Sequence, residues 1–198
     1  MNSQAPSLPA EALAAALHRG EAAIFPTDTL PALATRPEQA QRLWELKQRP
    51  AHKPVILMAA TAEELWLALG LDPLPAWRAL AQHHWPGALT LVLPARSTLA
   101  LQLNPGGTSL GIRIPACPEA IALLRHTGPL ATTSANRSGE PPCLSAAEAR
   151  TRFPQVPRLA PEPWPQPSGQ ASTVLGWHAE GWELLRAGAV KPEGIRPA

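Results

Sequence analysis

Lysine occurs three times in this 198-residue chain, at Lys47, Lys53 and Lys191, and two of the three flank Arg49 in the run Lys47-Gln48-Arg49-Pro50-Ala51-His52-Lys53-Pro54. Arginine offers a planar fork to two oxygens and lysine a mobile point charge, a combination suited to phosphate or carboxylate. The same residues also fit a solvated basic helix end, where cations offset the helix dipole. Thr27-Asp28-Thr29 follows the apolar Ala22-Ala23-Ile24-Phe25 and holds one of only two aspartates, the other being Asp72. Arg113 stands between Ile112 and Ile114. The alternation of Leu110, Ile112 and Ile114 against Gly111 and Arg113 puts its guanidinium opposite the apolar face, either exposed or buried with an anion, where it can line a cleft. Ser134-Ala135-Asn136-Arg137-Ser138-Gly139 gathers short hydroxyl and amide groups beside a glycine that lets a ligand approach the backbone closely. Taken singly, the threonine and serine clusters also read as local turn chemistry.

The elements that must position these groups follow from periodicity and punctuation. Helices are predicted over Glu11 to Leu17, Glu38 to about Lys47, Ala62 to Leu69, Pro75 to His84, Pro118 to His126, and from Ser145 to about Arg152. Strands are predicted over Ala22 to Phe25, Val55 to Met58, Ala88 to Leu93, Ser109 to Pro115, Pro129 to Thr133, 173–178 and 182–186. Strands alternating with helices indicate an α/β layered domain, and the strands near 90, 112 and 175–185 point to a mixed sheet. A strand's carboxyl end is where open α/β sheets place ligands, and the polar clusters fall there. Pro154, Pro157, Pro161, Pro163, Pro165 and Pro167 make a run that cannot form helix or central strand and is expected to be extended, as a cover, lid or semi-rigid linker over 154–167. The last ten residues read as a loose tail.

Composition narrows the function classes. With 45% hydrophobic and 16% charged residues the chain is globular, and its length fits a single domain over 1–198. A net charge of +2 permits an anionic ligand but falls short of the basic field of a dedicated nucleic-acid binder. No basic leader and no long apolar run appear, so a cytoplasmic protein with no membrane partner is expected. Cys117 and Cys143 lack metal-ligand spacing and are expected to be unpaired, and His83-His84 reads as a helix end, so no metal held by protein ligands is expected. There is no GxxxxGK[ST], no GxGxxG after a strand and no GxSxG elbow, which disfavours the commonest nucleotide-binding and hydrolase schemes.

In their joint order, Phe25-Pro26-Thr27-Asp28-Thr29, Lys47-Gln48-Arg49-Pro50 with Lys53, Trp85-Pro86-Gly87-Ala88-Leu89-Thr90-Leu91, Gly111-Ile112-Arg113-Ile114-Pro115, Thr133 to Gly139 and Ser172-Thr173-Val174 resemble the YrdC/TsaC family of threonylcarbamoyl-AMP synthases, single-domain type. The resemblance implies a YrdC-like twisted mixed sheet with flanking helices around a concave basic cleft. It also implies a nucleotidyltransferase reaction in which L-threonine, bicarbonate and ATP give threonylcarbamoyl-adenylate, pyrophosphate and water. The product would serve a separate transferase complex that makes threonylcarbamoyladenosine in tRNA. By the same resemblance Lys47 and Arg49 act in catalysis, Arg49, Lys53, Ser109, Asn136 and Arg186 bind ATP, and Thr29, Arg113, Ser134 and Ser172 bind threonine. Magnesium is expected to arrive with ATP. Pro31-Ala32 stands where many relatives have Tyr-Gly, tyrosine is absent altogether, and Met58 stands where some longer relatives place a histidine. Two other roles implied for this fold are carbamoyl-adenylate formation and weak RNA contact in ribosome assembly.

Overall fold

The computed structural model describes residues 4–48, 50, 53–179, 181–193 and 196–197. The chain runs β1 (Ser7–Leu8), α1 (Ala10–His18), β2 (Ala23–Phe25), β3 (Ala32–Thr35), a 3-10 turn (Pro37–Gln39), α2 (Gln41–Lys47), β4 (Ile56–Met58), α3 (Ala62–Leu69) and α4 (Pro75–His84). It continues with β5 (Leu89–Pro94), α5 (Thr98–Leu103), β6 (Ser109–Arg113), α6 (Pro118–Thr127), β7 (Leu130–Ser134), α7 (Ala146–Arg152), β8 (Arg158–Leu159), β9 (Thr173–His178), β10 (Gly181–Arg186) and β11 (Arg196–Pro197). The strands form one sheet in the order β1-β8-β2-β3-β7-β4-β6-β5-β9-β10-β11. Parallel pairs (β4 with β6, β5 with β9) stand beside antiparallel ones (β3 with β7, β5 with β6), so the sheet is mixed, as the pattern predicted.

The two faces of the sheet are treated unequally. Leu33, Leu57, Leu91, Ile112, Ala131 and Leu175 point to one side and join the buried apolar residues of α2 to α5 in the larger core. On the other side α1 and α6 pack together over Ala23, Phe25, Ala34, Leu130 and Leu159, with Ala32 and Met58 at the edge of the covered region. The rest of that face, over β7, β4, β6, β5 and β9, is open and mixes Thr132, Ser134, Arg113 and Thr90 with Ile56, Met58 and Val174. Gly111 lies there, and a Cβ in its place would come 2.8 Å from Ile56 Cγ2, so glycine keeps the floor low next to Arg113.

Several elements differ from expectation for identifiable reasons. The helix expected over 38–47 is split: Pro37 starts a 3-10 turn, α2 begins only at Gln41, and Gln48 ends it in the left-handed region at φ 51°. β3 and α5 carry no sequence signal, being a short Ala-Leu-Ala-Thr run and a six-residue helix. β3 owes its conformation to bonds with both β2 and β7, and α5 to Ser97, whose Oγ accepts from Ala100 N. The proline run does form an interior strand. Between Pro157 and Pro161 three residues keep their N–H groups, and Arg158 N donates to Pro6 O and Ala160 N to Leu8 O, while Pro157 O accepts from Ile24 N. β8 therefore sits between β1 and β2, and the segment packs on the body as cover, not as a free linker. At the tail, β11 pairs parallel with β10. Cys117 and Cys143 are buried and not joined in a disulfide, Cys117 Sγ donates to Glu119 Oε2 at 3.2 Å, and burial pushes the Cys117 thiol up to about 11, which suits a core residue more than a nucleophile.

Leu57 is fully buried and Leu67 is 83% exposed, which predicts opposite mutational outcomes. Leu57→Ala should cost about 2–5 kcal/mol of unfolding free energy, and Leu67→Ala should stay within roughly 0.5 kcal/mol, as read from urea midpoints at constant slope.

Candidate active site

The uncovered part of the sheet face holds a cavity of about 220 Å³. Its floor comes from alternate residues of neighbouring strands: Ala32 on β3, Thr132 and Ser134 on β7, Ile56 and Met58 on β4, Arg113 on β6, Thr90 on β5 and Val174 on β9. Thr29 and Leu30 form one wall and Ala171, Ser172 and Arg186 the other. Five groups proposed from sequence therefore meet here: Thr29, Arg113, Ser134, Ser172 and Arg186.

Arg113 is the most constrained of them, at 2% exposure. Its Nη2 donates to Asp28 Oδ1 at 2.7 Å, Nη1 to Thr29 Oγ1 at 2.8 Å and Nε to the carbonyl of Gly87 at 2.9 Å. The same Asp28 oxygen accepts from Ala116 N at 2.9 Å. Burial lowers the arginine pKa and Asp28 works against that shift, so the guanidinium stays charged. Three of its five N–H groups are engaged, so the expected free fork is reduced to the two that remain.

Ser172 and Arg186 form a second unit. Ser172 Oγ lies 2.8 Å from Thr90 Oγ1, and Arg186 Nη2 donates to Ser172 O at 2.7 Å and to its Oγ at 3.2 Å. Partial burial lowers the Arg186 pKa, and among the described residues no carboxylate pairs with it. At this end of the cavity the positive charge therefore has no carboxylate partner among the described residues.

Lys47 departs from expectation. It is 3% exposed and does not line the cavity: its ammonium donates to Ser134 O at 2.6 Å, Asn136 O at 2.7 Å and Asn136 Oδ1 at 3.0 Å. A long chain near a helix end was expected to carry its charge to a ligand, but α2 packs its last turn into the core, and the last residue of β7 and the loop after it supply the acceptors. Asn136 likewise turns away from the cavity wall, with Nδ2 donating to Arg137 O and Glu140 O. Ser109 stands at the start of β6 against Asn104, outside the cavity lining. Lys53 is exposed next to the lining residue Pro54. Arg49 lies outside the described residues.

Two participants escaped the sequence reading. Asp28 was visible as a rare aspartate at a strand end but carried no hint of Arg113, 85 positions away. Thr90 lay inside a quoted motif with nothing to mark it as the partner of Ser172. Among the described residues no three His, Cys, Asp or Glu come together as a metal site.

Comparison with known proteins places this geometry. The sequence profile of the family Sua5_yciO_yrdC, described as "Telomere recombination", matches residues 15–188. A protein of Bacillus subtilis (strain 168) named threonylcarbamoyl-AMP synthase is 35% identical over 188 residues, covering 92% of this chain and 54% of its own length. This chain thus spans about half of that relative. One of the same name from Halorhodospira halophila (strain DSM 244 / SL1) is 39% identical over 145 residues, 71% of this chain and 75% of that one. The crystal structure of P. abyssi Sua5 complexed with L-threonine superposes with a TM-score of 0.88 at 27% identity, over 99% of this chain and 62% of that one. The matched profile takes in every residue that lines the cavity, and the chain belongs to the Sua5/YciO/YrdC family.

Proposed function

We propose that this chain is a threonylcarbamoyl-AMP synthase, a nucleotidyltransferase that joins L-threonine, bicarbonate and ATP into threonylcarbamoyl-adenylate with release of pyrophosphate and water. The observation that carries the reading is the buried Arg113, anchored by Asp28, at the floor of a cavity of about 220 Å³ walled by hydroxyl groups. That volume suits an amino acid and is below the range of about 300–1,000 Å³ typical of drug-sized ligands, so a nucleotide would extend outward from it. The names of the relatives and the threonine bound in P. abyssi Sua5 support the same substrate.

In this reading the two remaining N–H groups of Arg113 take the threonine carboxylate. The amine attacks bicarbonate, losing water, and the carbamate oxygen attacks the α-phosphorus of ATP with pyrophosphate leaving. No side-chain nucleophile is needed, because the work is positioning and stabilisation of charge. Arg186 and the exposed Lys53 would take phosphate oxygens, and Arg49, Ser109 and Asn136 are assigned to ATP by family resemblance. A resident magnesium does not fit the donor set: no carboxylate lines the described cavity, and Asp28 Oδ1 already serves Arg113 and Ala116. Magnesium would come with the triphosphate. The product would pass, in the cytoplasm, to a tRNA threonylcarbamoyl transferase complex. No described helix is long and apolar enough to cross a membrane.

Pyrophosphate release from ATP is expected to need both threonine and bicarbonate, and mass spectrometry should find threonylcarbamoyl-adenylate; release indifferent to threonine would sink the proposal. Asp28→Asn leaves a buried guanidinium without its counter-charge and should cost about 3–5 kcal/mol of stability. In the fraction that folds it should raise KM for threonine about 10-fold or more with a smaller change for ATP; steady-state kinetics and thermal melts check both. Arg186→Ala should instead raise KM for ATP, by about 10-fold, because it removes a charge that no described carboxylate pairs with.

A further inference from the structure

Ser134 lines the cavity, yet its hydroxyl proton is committed elsewhere, and the commitment begins at Lys47. An ammonium only donates, so the Asn136 side-chain atom 3.0 Å from Lys47 Nζ is the amide oxygen. The amide nitrogen then faces the carbonyls of Arg137 and Glu140, each at 2.8 Å, and carbonyls only accept. Both ends of the amide agree on one orientation. Ser134 Oγ lies 2.6 Å from that amide oxygen, which carries no proton, so the serine must donate. Among the described residues nothing donates to Ser134 Oγ, and its lone pairs are left for the cavity.

Thr29 reaches the same polarity through other partners. Its Oγ1 accepts from Arg113 Nη1 at 2.8 Å. Thr27 Oγ1 spends its proton on Leu30 O at 2.7 Å, so in its 3.1 Å contact with Thr29 Oγ1 it receives. The backbone N–H groups of Thr29 and Leu30, both at 3.2 Å, share the lone pairs of Thr27. The two hydroxyls border one edge, since Ala135 N donates to Pro31 O and Ala32 pairs with Ser134. That edge offers acceptors, while the arginines offer donors only.

We infer that Lys47 is a positioning residue which, through Asn136, fixes Ser134 as an acceptor, and that the Thr29 and Ser134 edge takes the amino group of the substrate while Arg113 takes its anionic end. The inference rests on the amino-acid reading of the cavity proposed above and deepens it. It replaces the expectation that Lys47 acts on a phosphate directly.

The test is calorimetric titration of the whole chain with L-threonine and with (R)-3-hydroxybutanoate, which lacks only the amino group. The unaltered chain should bind threonine at least about 10-fold more tightly, the worth of hydrogen bonds to a charged amine. Ser134→Ala and Lys47→Met should each shrink that ratio to about threefold or less by weakening threonine alone, and Lys47→Arg, still donor-only, should restore part of it. Should Lys47→Met not fold, Ser134→Ala decides, because it leaves the bonds between Lys47 and Asn136 in place. A ratio unmoved by these changes, or equal weakening of both ligands, overturns the inference even if threonine-dependent turnover is found. Amine-dependent binding without pyrophosphate release overturns the reaction and keeps the assignment of the edge. Absence of threonine binding overturns both.

Discussion

A guanidinium 2% exposed in the middle of a sheet can exist only if its counter-charge and acceptors are assembled around it, since a lone buried charge costs several kcal/mol. Arg113 therefore ties together separate parts of the chain. The turn after β2 supplies Asp28 and Thr29, the loop before β5 supplies the Gly87 carbonyl, and the segment after β6 shares Asp28 through Ala116 N. That turn also holds the proline-rich segment, for the carbonyls of Asp28 and Thr29 accept from Ser168 N and Gly169 N. Ser172 and its wall follow from there. One ion pair thus fixes both sides of the cavity.

How much of this was legible depended on whether the controlling contact was local. The face of Arg113 could be read from the alternation of Leu110, Ile112 and Ile114, because strand geometry has a period of two. The mixed sheet and most helices followed from periodicity for the same reason. Asp28 as the partner of Arg113 could not, because the pairing spans 85 positions and residue types alone fit a turn equally well. β8 was hidden by the prolines around it, although the three residues between Pro157 and Pro161 retain the N–H groups a ladder needs. The burial of Lys47 was hidden by the ordinary expectation that lysine at a helix end faces water.

Lys47 also shows why a count of cations misjudges the site. Of the basic residues singled out at this locus from the sequence, Lys47 is turned onto the end of β7 and the loop after it, and Arg113 is neutralised by Asp28. Among the described residues lining the cavity, Arg186 keeps a charge that no described carboxylate pairs with, and it stands at the wall, not the floor. The cavity mixes hydroxyl groups with apolar side chains such as Ile56, Met58 and Val174 and carries its positive charge mainly at one end, with the exposed Lys53 next to the lining residue Pro54.

This division bears on how two different substrates could share a small space. A floor whose donors and acceptors are already oriented costs little to reorganise when a zwitterion with one anionic and one cationic end settles on it. A triphosphate needs the opposite, a rim of mobile or half-solvated cations that can follow several oxygens at once. In the proposed reaction the amino acid would meet the rigid part of the site and the nucleotide the adaptable part. The α-phosphorus would then stand where the two regions join, beside Arg186, whose guanidinium can stabilise the negative charge that develops as the carbamate attacks.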